Sequence, residues 1–161
     1  MAATVLERFG RLDAVFANAG VGGEPGGFSG APPALRRRIV EVNILGVAHT
    51  LRATLAHVKA ARGHVLITGS IAGRRTLAGS MYAASKWAVT AIGYNLREEL
   101  AGTGVRVTLI EPGMVDTPFF DEAKPDALRP DDIARGVVYA LSQPESVDVT
   151  ELVILPTPKA G

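Results

Sequence analysis

An α/β fold built on a parallel sheet is predicted for this chain, on three observations. Four short β-branched runs, at 13–17, 64–68, 105–110 and 151–155, are each separated by a stretch of helical patterning. Helix stop signals fall where that alternation needs them: Gly63 and Gly102 after two long helical stretches, and Pro144 beyond a third. No repeat, low-complexity segment or linker interrupts the pattern. The 161 residues, 47% hydrophobic, therefore read as one domain with a real core.

The run Asp13-Ala14-Val15-Phe16-Ala17 predicts the first strand, closed by Asn18-Ala19-Gly20. A first long helix is predicted over 34–62, with Leu35, Ile39, Val42, Leu51, Leu55 and Val58 at helical spacing and Gly63 as its cap. His64-Val65-Leu66-Ile67-Thr68 is the second strand. A second helix runs from 80 to 101, capped near Gly102; its many Ala and Ser residues would let another helix pack closely. Val105-Arg106-Val107-Thr108-Leu109-Ile110 is the third strand. The third helix starts at Pro130-Asp131-Asp132, with acids in its first turn, and ends before Pro144. The last strand covers 151–155.

Composition narrows the function classes. Net charge is +1, from 17 basic and 16 acidic residues, which argues against a nucleic-acid or membrane-surface role. Arg36-Arg37-Arg38, the one basic cluster, reads as a solvated helix face. The chain has no cysteine, so disulfides and thiolate metal sites are excluded. His49, His57 and His64 read as solvent-facing or capped, so no metal site is expected. No signal peptide is visible, and no apolar run approaches the ~18 residues that span a bilayer, which predicts a cytoplasmic protein.

The chemistry is concentrated in Ser80-Met81-Tyr82-Ala83-Ala84-Ser85-Lys86. Tyr82 and Lys86, four apart on a helix, project from one face. A free phenol ionises near pH 10, and a nearby ammonium favours the phenolate, so Lys86 is expected to lower the Tyr82 pKa. Such a pair suits carbonyl/alcohol redox chemistry, in which one group moves a proton while a cofactor moves a hydride. Singly, Ser70 also reads as a turn cap, Asn43 as a buried amide bonding backbone, and Asn18 as an amide tying strands together. A serine-hydrolase elbow is excluded by spacing, because Gly69 adjoins Ser70 and Gly73 lies three beyond it.

Five motifs stand in order: Asn18-Ala19-Gly20, Asn43, Ser70, Tyr82-x-x-x-Lys86 and Pro112-Gly113-Met114-Val115-Asp116-Thr117. This series resembles the short-chain dehydrogenase/reductase family over nearly the whole chain. The resemblance implies a partial Rossmann-like, doubly wound parallel sheet of about four strands, and NAD or NADP as cofactor. It implies Tyr82 as general acid or base, Lys86 as its tuner and ribose ligand, and Ser70 as donor to the substrate oxygen. Asn43 would hold a relay water. Pro112, Gly113, Val115 and Thr117 would hold the nicotinamide carboxamide, and Asn18, Ala19 and Gly20 would touch the adenosine ribose. Ala17 stands where the commoner family form has a first Asn. The substrate would be a small ketone or secondary alcohol. Homodimers or homotetramers would form through helices 34–62 and 80–101.

The family's Gly-rich phosphate turn has no counterpart here. Residues 1–10 look like the last turns of a helix, and roughly two βαβ units of the family are expected to be missing before them. The glycine-rich loop 20–27 is no substitute, because Glu24 and Pro25 break the spacing and place an acid where phosphate would sit. Losing that cradle should cost about 4 kcal/mol, roughly a thousandfold in cofactor affinity. The strand at 13–17 would then carry an open edge that favours association. Two functions follow: a redox enzyme whose activity as this chain alone is feeble, or a non-catalytic remnant serving as a dimerisation module. The loop 21–33 and Pro118-Phe119-Phe120-Asp121 would line the pocket, although Phe119 and Phe120 read first as core packing.

Overall fold

The structure, a computed structural model, describes residues 2–23 and 26–158. Glu24 and Pro25, which spoil the phosphate-loop spacing, lie outside the described residues, as does Met1. Four parallel strands, β1 (Ala14–Ala17), β2 (His64–Thr68), β3 (Arg106–Pro112) and β4 (Glu151–Ile154), pair in that order. Their register aligns Ala14 with His64, His64 with Arg106, and Leu109 with Glu151.

The strand pleat explains why both faces are covered. Along β2, Val65 and Ile67 point into one core with Val107 and Leu109 of β3. Between them Leu66 points the other way, into a second core with Ile110. Helices α4 (Gly46–Ala60) and α5 (Met81–Glu99) close the first face through Val47, Leu51, Val58, Val89 and Leu96. Helix α6 (Pro130–Ser142) closes the second through Ala140, with Ile133 and Val137 beside it. Each such aliphatic side chain contributes about 1.5–3 kcal/mol on full burial. Residue Gly93 of α5 abuts Leu109 of β3, so the small residues expected to admit another helix include one that admits the sheet.

The predicted helix 34–62 is a continuous run, but it is not one α-helix. Two helical segments, α3 (Pro33–Ile39) and α4, are joined by a π-helical turn over Val40–Leu45. The cause is legible in what is buried: Ile39, Asn43, Val47 and Leu51. Each four-residue step on an α-helix overshoots a full turn by about 40°. The wider π turn absorbs that drift and keeps Asn43 in the buried stripe. Leu35, expected in that stripe, is exposed instead. By length and composition Pro33–Ala60 is apolar enough to cross a membrane, contrary to the sequence expectation; its buried face packs on β1 and β2.

Three further expectations are corrected. Helix α4 ends in a Schellman arrangement, with Gly63 N–H donating to Val58 O and Arg62 N–H to Lys59 O. The left-handed residue is Arg62 (φ 49°), not Gly63. Gly63 is needed for another reason: a Cβ there would lie 2.0 Å from the Asp13 carbonyl oxygen. His64 is neither exposed nor a cap. It is buried, with Nε2 2.7 Å from Thr108 Oγ1. Arg36 also leaves the expected solvated face, donating to the Phe28 carbonyl from beside α2 (Gly27–Gly30).

The sheet has two edges, β1 and β4. Ahead of β1, helix α1 (Ala2–Phe9) buries none of its residues.

Candidate active site

The functional candidates gather at the carboxyl ends of the strands, where parallel α/β sheets present ligand-binding loops. The turn after β2 carries Ser70, whose Oγ accepts the Ala72 N–H and caps a 3-10 turn over Ile71–Gly73. Ser80 likewise caps α5 by accepting the Ala83 N–H. That cap starts the helix just before Tyr82, so Tyr82 and Lys86 stack on one face, with Tyr82 beside Ser70.

The three groups do meet. The Ser70 hydroxyl lies close enough to the Tyr82 phenol to act on its ionisation, and Lys86 Nζ lies 5.8 Å from the centroid of the Tyr82 ring. Lys86 is 4% exposed and donates one hydrogen bond, to the Thr68 carbonyl at 2.8 Å. Burial lowers its pKa to about 8. The Tyr82 phenol is pushed above its ordinary value by burial, while the Ser70 hydrogen bond pulls the other way. The expectation that Lys86 lowers the phenol pKa is therefore corrected for this arrangement. The physical reason is that desolvation of the phenol outweighs the stabilisation on offer, and the ammonium's described bond goes to a backbone carbonyl.

Asn43 sits at 1% exposure on the π turn. Its Oδ1 accepts the Val21 N–H at 2.8 Å, and its Nδ2 donates to Val21 O and to Ser85 Oγ, each at 2.9 Å. Those are the bonds of a structural amide. Gly20 connects it to the site: a Cβ at Gly20 would lie 3.6 Å from both Asn43 Oδ1 and Lys86 Nζ. Asn18 Oδ1 accepts from Thr68 Oγ1 at 2.7 Å, tying the end of β1 to that of β2, and Ala19 follows it, exposed. Gly113 N–H donates to Ile154 O, tying the end of β3 to β4. Val115 bridges to Leu128, and Thr117 Oγ1 accepts the Phe119 N–H.

Phe119 is not core. Its ring stands edge-on to Tyr82, with centroids 5.6 Å apart and planes at 60°. It also covers Gly22, where a Cβ would fall 2.1 Å from Phe119 Cζ. Beside it runs a cleft of about 240 Å³ lined by Gly20, Val21, Gly22, Leu35, Arg38 and Phe119 among others. Sequence reasoning missed Ser85 and Thr68 as partners, and it missed Glu111, fully buried at the end of β3. A lone acid in an apolar strand ahead of Pro112-Gly113 was the available signal for the last.

Lys86 also bears on cofactor fit. An ammonium with three donors, buried with one described hydrogen bond, fits a hydroxyl-rich group such as a ribose.

The short chain dehydrogenase family profile matches residues 1–128. This chain belongs to that family. An uncharacterised oxidoreductase of Staphylococcus epidermidis is 45% identical over 125 residues, covering 73% of this chain and 54% of that protein. A second, from Staphylococcus saprophyticus, is 39% identical over 155 residues, covering 93% of this chain and 66% of its own length. The chain thus spans about half to two thirds of these relatives. Among solved structures, an alcohol dehydrogenase of the archaeon Thermococcus sibiricus complexed with 5-hydroxy-NADP superposes with a TM-score of 0.87 at 34% identity. It covers 99% of this chain and 70% of that one. Serine dehydrogenase from Escherichia coli follows at 0.86 and 30%, covering 97% and 69%. The Rossmann-like parallel sheet predicted from the sequence is the fold these neighbours share.

Proposed function

We propose that this chain carries the proton-transfer half of a nicotinamide-dependent oxidoreductase acting on a ketone/secondary alcohol pair. The single observation behind this reading is the proximity of the Ser70 hydroxyl, the Tyr82 phenol and the Lys86 ammonium at the carboxyl ends of the strands, next to the Phe119 cleft. NAD or NADP would supply or accept the hydride; the Thermococcus neighbour is bound to an NADP derivative. Lys86 would hold the ribose with the donors not taken by Thr68. Asn18, Ala19 and Gly20 would meet the adenosine side, and Pro112, Gly113, Val115 and Thr117 the carboxamide.

In the reducing direction, Tyr82 Oη gives its proton to the substrate oxygen as negative charge develops there. A phenol kept protonated by burial is suited to that donation. Ser70 Oγ turns its single hydrogen from the phenol to the same oxygen, where an oriented donor lowers the barrier. Lys86, with a pKa near 8, can return a proton to the tyrosinate and recover it from solvent by way of a water near Asn43 and Gly20. Phe119 closes the apolar side of the cleft and limits access of bulk water to the phenol.

Titration of the purified chain with NADH and NADPH, followed by nicotinamide fluorescence, tests this. Saturable binding weakened by Lys86→Met, and slow ketone reduction abolished by Tyr82→Phe, is the expected result. A second reading is a non-catalytic module associating through Pro33–Ala60 and Met81–Glu99. Absence of saturable binding at millimolar cofactor would leave that reading standing alone.

A further inference from the structure

Behind the site lies a partly buried ion-pair network that the proposed chemistry does not use. Glu111, at the end of β3, has a fully buried side chain. Arg74 Nε donates to both of its oxygens, at 3.0 and 2.9 Å, and Thr90 Oγ1 donates to Oε1 at 3.2 Å. Arg74 Nη2 also lies 2.7 Å from Glu151 Oε1 on β4, an ion-pair contact whose direction departs from hydrogen-bond geometry. Burying a carboxylate costs several kcal/mol unless such partners are kept, so the network is rigid when complete and costly when broken.

Its placement links the parts of the site. Arg74 is the residue that ends the 3-10 turn begun by Ser70. Tyr82, Lys86 and Thr90 are spaced four apart and form one face of α5. The same turn rests directly on that face, since a Cβ at Gly73 would meet Lys86 O at 2.7 Å and Thr90 Oγ1 at 2.9 Å. Glu111 also abuts Gly69, where a Cβ would come within 3.1 Å of Glu111 Cγ. One carboxylate therefore touches the turn before Ser70, the arginine after it, and the helix that carries the phenol.

We propose that Glu111 and Arg74 are positioning residues that clamp the Ser70 turn onto the Tyr82–Lys86–Thr90 face of α5. In this way they set where the Ser70 hydroxyl meets the phenol. This deepens the reading above and rests on its assignment of Ser70 and Tyr82. A clamp acting only on sheet stability would leave the Ser70–Tyr82 contact intact.

The test uses the chain labelled with tyrosine carrying 13C at Cζ, whose resonance responds to hydrogen bonding at the phenol. Only Tyr82, Tyr94 and Tyr139 contribute signals, and Tyr82→Phe assigns the one that matters. The expected result at neutral pH is that Arg74→Met moves the Tyr82 resonance as far as Ser70→Ala does, with no further movement in the double variant. Arg74→Lys, which keeps the charge but cannot present a guanidinium fork, should move it part of the way. If Arg74→Met does not fold, Arg74→Lys and Glu111→Gln carry the same comparison. Folded variants of lowered stability with the Tyr82 resonance at its wild-type position would overturn the proposal. Failure to bind a nicotinamide cofactor would sink the proposed function and leave this comparison unaffected.

Discussion

Lys86 Nζ stands 5.8 Å from the centre of the Tyr82 ring yet donates away from it, to the Thr68 carbonyl. The ammonium is held by the strand end and buried beside the phenol, so its own charge is the strained quantity. Its pKa falls to about 8 in the fold against 10.5 for the free side chain. Between those values the unfolded chain binds more protons than the folded one, so stability rises with pH across about 8 to 10.5. Lys86→Met should remove that rise and be more stable than wild type at pH 7. Urea unfolding at pH 7 and pH 9.5 measures it; an unchanged slope in the variant would contradict the account.

Asn43 is predicted to matter for stability apart from any relay. Alanine there leaves Val21 N–H and Val21 O without their described partners and removes the hydrogen bond that Ser85 Oγ accepts, while Ser85 still donates to the Tyr82 carbonyl. The expected loss is about 1–3 kcal/mol, read as a shift in the urea midpoint at constant m-value. A loss within experimental error would mean that water replaces the amide fully.

Between pH 6.5 and about 4, acid should destabilise the fold through His64. Thr108 Oγ1 donates its hydrogen to Val149 O, so it can only accept from His64, which fixes the neutral Nε2–H tautomer. The His64 Nδ1 atom is buried with no partner among the described residues. Burial first, then the Arg106 charge, lowers the His64 pKa from 6.5 to about 4. The unfolded chain therefore takes up a proton that the fold refuses, and stability falls as pH drops from 6.5 to 4. Melting temperatures across that window should fall less in His64→Leu than in wild type. Parallel curves would place the acid sensitivity elsewhere.

How much of this was legible in the sequence depends on which interaction decided each feature. The strand at 64–68 was read to the residue, because burial on both faces leaves an unbroken apolar run between turn signals. Tyr82 and Lys86 were read correctly as neighbours, since helical spacing fixes that locally. Their electrostatics were not, because the direction of Lys86's hydrogen bond and the burial of the phenol are tertiary facts. The π turn at Val40–Leu45 escaped for a similar reason: a polar Asn43 breaks the apolar stripe that would reveal the four-residue spacing. Gly63 was read as a cap by its type, whereas a close approach to Asp13, distant in sequence, is what requires it. For Phe119 the sequence offers both a pocket wall and core packing and favours the latter, because hydrophobicity alone cannot tell a core side chain from a cleft wall.

Phe119 should set the environment of the phenol. Removing its ring in Phe119→Ala admits water to Tyr82, and the burial that raises the Tyr82 pKa is relieved. The phenol should then titrate closer to its ordinary value. Absorbance titration near 295 nm, with Tyr82→Phe subtracted, reads the change. A midpoint equal to that of wild type would show that Phe119 does not shield the site.

The strand edge supplies the last prediction. β1 pairs with β2 along Ala14–Ala17, and no strand pairs with its other edge among the described residues. Phe16 is 38% exposed there, and Phe9 of α1 is 63% exposed. Open edges with apolar neighbours recruit further strands, and inserted charge blocks them. The chain should therefore show a weight-average mass that rises with concentration in light scattering. Phe16→Lys, at an exposed position, should bring that mass down toward the monomer. A wild-type chain that stays monodisperse and monomeric, and melts cooperatively, would show that this edge is closed to pairing.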